Sequence, residues 1–161
     1  MADRKVAWGS STAFGTFTLA SLASSATAAR EGPSVDNSTT KYVDFLISFF
    51  IKLQAGSPTG DKAIYFYAAG SEDGTNFTDN ATGADANLTL RVPTSLRLIG
   101  ATSCPDSGGL TYKCGPFYLS TGFPLMVRKF SIIVLNATGV TFSATEGDHT
   151  KQYSGGYETI A

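Results

Sequence analysis

Few residues in this chain are of the types that carry out chemistry. It has one histidine, His149, which follows Asp148 and lies close to Glu146. An imidazole beside a carboxylate can serve as a general base, because it titrates near neutrality and the carboxylate can orient it. Serines are plentiful, but the Gly-x-Ser-x-Gly turn that offers a serine as nucleophile is absent from the sequence. The expected role of His149 is hydrogen bonding or a place on the surface.

Asp73, Asp79 and Asp85, together with Asp44 and Glu72, are the carboxylates that could supply an acid and base pair for glycoside hydrolysis. That chemistry requires a defined separation across a sugar, which spacing along the chain does not establish. Aspartates in a turn-rich stretch ordinarily bind nearby backbone N–H groups, and this is the expected role here. The same stretch lacks the acidic register of an EF-hand, leaving only an irregular calcium site open. A glycine loop of the phosphate-cradling kind is also missing. The expectation is a chain with no catalytic residue, no cofactor and no metal ligand.

Cys104 and Cys114 bracket a turn containing Pro105, Asp106, Ser107, Gly108 and Gly109. Such a turn would bring its flanks together, so a disulfide and a pair of reduced thiols are both open. Two cysteines without a nearby histidine do not make a zinc site. Each of the five asparagines, Asn37, Asn76, Asn80, Asn87 and Asn136, is followed two residues later by Ser or Thr. Formally these are glycosylation acceptors. In a Thr-rich β-protein they are also what exposed turns use, and that is the expected role.

The elements that must position these residues read as strands. Hydrophobic residues make up 42% and charged residues 16% of the 161, so the surface is built from Ser, Thr, Gly and Asn. β-Branched and aromatic residues suit a pleated surface. The formal net charge of −1 does not favour nucleic acid, and Arg91, Arg97, Arg128 and Lys129 read as scattered solvated charges. No stretch approaches the roughly 20 apolar residues of a membrane span. Residues 42–53, for example, include Asp44, Ser48 and Lys52. Arg4 and Lys5 before a small-residue stretch ending at Ala29 loosely imitate a signal peptide, but Thr16, Thr18, Ser21 and Ser24 interrupt it.

The strongest pattern lies at 41–54, where Val43, Phe45, Ile47, Phe49, Ile51 and Leu53 occupy every odd position. Period two predicts a strand with one buried face. After a turn at 54–61, residues 62–69 resume as a strand, and the two are expected to form a hairpin. Residues 70–86 read as a polar surface loop. Leu88, Leu90 and Val92, then Leu96 and Leu98, predict two short strands, and 111–119 and 128–135 predict two more. Val140 and Phe142 are expected to complete a hairpin through 136–139. A weaker alternation at 13–22 predicts a strand, and 23–37 an extended arm. The whole reads as an all-β protein, an antiparallel β-sandwich of jelly-roll-like or barrel-like form. Residues 1–38 form an extended N-terminal arm, and 39–161 the sandwich domain with a C-terminal tail. The two ends carry few periodic apolar residues, so neighbouring subunits are expected to order them.

Ala144, Thr145, Glu146, Gly147, Asp148, His149, Thr150, Lys151, Gln152 and Tyr153, with Tyr157, Glu158 and Thr159, resemble the ending of small structural proteins of tailed bacteriophages. Ala29, Arg30 and Glu31, and Val35, Asp36, Asn37, Ser38 and Thr39, are similar to the arm of those proteins. The resemblance implies a virion component, with a capsid decoration or cement protein favoured and a tail or baseplate subunit as competitor. It implies the major capsid protein or other virion subunits as partners, and a homo-oligomer in the particle. A carbohydrate-binding adhesin is a separate class, in which Trp8, Tyr65, Tyr67, Tyr112, Tyr118 or Tyr157 would stack on sugars.

Overall fold

The computed structural model describes residues 4–106 and 109–160; the extreme ends and residues 107–108, in the turn between the cysteines, lie outside the described residues. Among these the chain forms strands β1 (Arg4–Trp8), β2 (Thr12–Ala13), β3 (Ala28–Glu31), β4 (Val35–Asp36), β5 (Asp44–Lys52), β6 (Ala63–Ser71), β7 (Ala86–Thr89), β8 (Arg97–Ser103), β9 (Thr111–Tyr118), β10 (Lys129–Ala137) and β11 (Thr150–Ile160). They make two antiparallel sheets packed face to face. The first runs β1-β11-β5-β9, with β2 also on β11, and the second runs β7-β3-β10-β6-β8, with β4 also on β10. This is the all-β sandwich that the period-two segments predict.

The core forms where the alternating faces meet. Phe45, Ile47, Phe49 and Ile51 of β5 and Ile64, Phe66 and Ala68 of β6 are buried with Ile132 and Val134 of β10. The rings of Phe49 and Phe66 lie 5.0 Å apart across the two sheets. β5 and β6 therefore face each other and do not pair as a hairpin. Each is already flanked on both sides, β5 by β9 and β11 and β6 by β8 and β10, so the turn at 54–61 carries the chain from one sheet to the other.

Three expected details differ. Val43 lies before the strand and is exposed, because Tyr42 takes the inward place. Asn37 Oδ1 accepts from the Tyr42 N–H at 2.7 Å, and the Tyr42 ring lies where a Cβ on Gly155 would be. Phe142 makes a single bridge to Leu53 and does not pair back on β10. At 13–22 only Ala13 belongs to a strand, and of the rest Phe14, Phe17 and Leu19 enter the core while Thr16 and Ser21 are exposed.

Residues 4–38 are woven into both sheets. β1 and β2 pair with β11, β3 and β4 pair with β10, and Phe14, Phe17 and Leu19 are core residues. β11, expected as a tail, lies between β1 and β5 and is the longest strand described. The residues expected as an arm and a tail are thus structural parts of the sandwich. The polar loop after β6 lies on the outer side of the second sheet. There Phe77 and Ala81 pack with Leu90, Leu96, Leu88, Ile133 and Leu135 in a second apolar cluster.

Candidate functional site

Of the carboxylates singled out from sequence, Asp73, Asp79, Asp85 and Asp44 are each bound separately. Asp73 accepts from the Thr75 and Asn76 N–H groups at 2.8 and 2.7 Å and from Asn76 Nδ2 at 2.6 Å, and these bonds hold its pKa far below the ordinary value. Asp79 Oδ2 accepts from Thr94 Oγ1 and the Ser95 N–H, and Arg91 Nε lies 3.1 Å from Oδ1. Asp85 accepts from Arg30 Nε at 2.7 Å and from the Thr18 hydroxyl and N–H at 2.7 and 3.0 Å. Burial works against ionisation of Asp85, but the bonds from Arg30 and Thr18 outweigh it and its pKa is lowered. Asp44 accepts from the Ser120 hydroxyl at 2.7 Å and N–H at 3.0 Å. Glu72 lines an open groove of about 860 Å³ with Lys41, Tyr42, Leu125 and Arg128. A carboxylate saturated by backbone donors fastens the chain and has little capacity left as a base.

His149 is buried. Its Nδ1 accepts from the Lys52 N–H at 3.4 Å, and its Nε2 lies 3.1 Å from the Ser143 carbonyl oxygen. A carbonyl only accepts, so Nε2 carries the proton and the ring is neutral. Burial lowers its pKa below the ordinary imidazole value. Cys104 and Cys114 are free, buried thiols, pushed by burial up to about 12 and about 11. Among the described residues, no group of three or more His, Cys, Asp or Glu side chains could hold a metal ion.

Two of the asparagines work as internal clamps. Asn37 holds Tyr42, and the buried Asn136 donates from Nδ2 to the carbonyls of Leu22 and Val140 at 2.9 and 2.8 Å. Two further carboxylates, which sequence reasoning did not single out as ties, do similar work. Glu31 receives Thr82, Gly83 and Ser131, while Glu146 receives the Leu19 and Ala20 N–H groups and Lys151. Their partners lie 51 or more residues away, apart from Lys151, so no local motif marks them.

The outer face of the first sheet carries exposed large side chains, Phe50, Tyr118 and Trp8. The inward alternation of β5 turns Leu46, Ser48 and Phe50 outward, and the register sets them beside Ser154, Gln152 and Thr150 of β11. Leu46 also lies opposite Tyr118, and Phe50 opposite Lys113, whose Nζ is 5.9 Å from the Phe50 ring. At one end Trp8, 38% exposed, meets Tyr118, 51% exposed, with ring centroids 6.1 Å apart. Trp8 reaches this position because its strand partner is Gly156, where a Cβ would come within 2.9 Å of the indole. The result is a sheet face on which aromatic and aliphatic side chains lie among Ser48, Gln152 and Thr150, with the charges of Lys113, Asp44 and Lys52 around them.

Comparison with protein-family models, with curated proteins and with solved structures gives no match. The fold thus defines the class, a two-sheet antiparallel β-sandwich, and function is argued from its surfaces.

Proposed function

We propose that the protein is a non-enzymatic structural subunit of a virion, a capsid decoration or cement protein, that docks on the major capsid protein or other virion subunits through the outer face of its first sheet. One observation carries the docking face. The second sheet has part of its outer face covered by the chain's own loop, through Phe77, Ala81, Leu90 and Leu96, although Leu98 stays exposed there, whereas the first sheet leaves Phe50, Tyr118 and Trp8 exposed together on one face. Exposed apolar residues grouped on one face mark a surface that another protein covers. The resemblance of 144–153 with 157–159, and of 29–31 with 35–39, to tailed-phage structural proteins supports a virion as the assembly.

A tail or baseplate subunit would use the same face. The adhesin reading would draw on Trp8 and Tyr118, but their planes are inclined by 58° and offer no common platform to a sugar ring. Subunit docking fits the pair better.

The test is a particle-binding assay with the purified protein and virions lacking it. The Trp8→Ala, Tyr118→Ala double variant should lose about tenfold or more in affinity, since aromatic anchors dominate interface energetics, with its melting temperature nearly unchanged. Undiminished binding by the folded double variant would reject this face, and absence of the wild-type protein from particles would reject the virion.

A further inference from the structure

The two cysteines stand where the edges of the two sheets meet. β9 ends the first sheet and β8 ends the second, and among the described residues no ladder joins them. Their contact runs antiparallel through side chains. The Phe117 ring lies where a Cβ on Gly100 would be, and Arg97 and Ile99 crowd the same position on Gly122. Period two then turns Gly100, Thr102 and Cys104 inward at one edge and Tyr112 and Cys114 inward at the other. Both cysteines are buried in the main core cluster.

Thr102 lies beside both thiols. Cys104 Sγ donates to the Thr102 carbonyl at 3.7 Å, and the Thr102 side chain hydrogen-bonds to the Cys114 thiol. Cys114 Sγ in turn donates to the Tyr112 carbonyl at 3.7 Å. The charge of Cys114 is felt at Cys104, and that of Cys104 at Tyr112. With no group of three or more His, Cys, Asp or Glu side chains among the described residues, the pair is not a metal site.

We propose that Cys104 and Cys114 are an oxidisable pair whose disulfide fastens the edge of the second sheet to the edge of the first. The oxidant is a small disulfide of the glutathione class. One cysteine thiolate attacks it, forming a mixed disulfide and releasing one glutathione. The second cysteine attacks the mixed disulfide, forming the protein S–S bond and releasing the other. Two electrons and the two thiol protons leave the protein, and two molecules of reduced glutathione are produced. Burial sets when this happens. It pushes Cys104 up to about 12 and Cys114 up to about 11, so thiolate is scarce at neutral pH and glutathione is kept from the sulfurs while the edge is closed. Bridging therefore belongs to the folding chain and to openings of an edge that side chains alone hold shut.

The full-length protein, reduced and unfolded, is refolded in oxidised or in reduced glutathione, and its thiols are counted in denaturant. Reduced glutathione should leave both thiols free. Oxidised glutathione should leave none, with a monomer lighter by about 2 Da and residues 104 and 114 joined in one non-reduced peptide. The bridged monomer should melt about 5 °C above the reduced one, because the bridge restricts the unfolded chain. The thiol count is made on the wild-type chain and does not depend on a variant folding. Cys114→Ala, refolded in the same way, should give no such peptide and no rise in melting temperature. Two free thiols after refolding in oxidised glutathione, cysteines capped by glutathione or joined between chains, or a bridged monomer that melts below the reduced one would each overturn the proposal. Trp8 and Tyr118 take no part in the bridge, so particle binding and disulfide formation can fail separately.

Discussion

The Ser131 hydroxyl donates to Glu31 Oε1 at 2.8 Å, and the same carboxylate receives the N–H groups of Thr82 and Gly83. One buried side chain on β3 thereby joins β10 to the loop that covers the second sheet. Glu31→Gln replaces one acceptor oxygen with an NH₂ group directed at N–H donors. The loss should be about 1–3 kcal/mol, the cost of leaving buried polar groups unpaired. Urea unfolding measures it, and exchange of the Thr82 and Gly83 amides should rise more than that of β5.

His149 makes stability depend on pH. Its pKa is lowered by burial, with Lys151 adding to the shift and Glu146 and Asp148 opposing it, and protonating Nδ1 would also break the bond from the Lys52 N–H. The unfolded chain binds the proton more readily, so the contribution is fully present above about pH 6.5 and is lost as pH falls toward the folded value. The slope should be up to about 1.4 kcal/mol per pH unit. Melting temperatures measured from pH 8 to 5 should fall for the parent and stay flatter for His149→Gln. Asp85 and Glu146, whose pKa values are also lowered, add a separate loss at more acidic pH, as they protonate below the ordinary carboxylate range.

A chain beginning at Thr39 should not fold into the stable sandwich. It lacks β1 to β4 and the core side chains Phe14, Phe17 and Leu19, and it leaves β11 without a partner on one side. Removing a single buried Phe costs about 3–5 kcal/mol, so losing all three exceeds the margin of a typical domain. Circular dichroism and thermal melting of the truncated protein would check this, and a cooperative transition near that of the parent would contradict it.

Ile47 is fully buried at the centre of β5. Ile47→Asp places a carboxylate without a cation among Phe and Ile side chains, at a cost of several kcal/mol. Denaturant unfolding should show a large loss of stability or no folded population at all.

Strands β5 and β6 are legible in the sequence because alternation is a local property, and β10, buried on both faces, is legible as a short apolar run of β-branched and aromatic residues. The all-β class and the buried row from Phe45 to Leu53 follow from that alone. Which strands become neighbours is not local. β5 and β6 looked like a hairpin, yet each had its edges filled by strands from distant parts of the chain, and only tertiary packing made them face each other. Phe14, Phe17 and Leu19 enter the core from an irregular segment held by Asp85 and Glu146, so the weak alternation at 13–22 marks buried side chains without marking a strand. β11 is the clearest case. Its Gly155 and Gly156 contribute no side chains of their own and leave room for the rings of Tyr42 and Trp8. The apolar cover of that stretch is therefore written in other parts of the sequence, which is why a central strand reads as a polar tail. The bare face has the same origin. Period two alone puts Leu46 and Phe50 on one face of β5, whereas Trp8 and Tyr118 meet beside them through strand order, with β11 and β5 between their strands, a long-range relation that no local pattern carries.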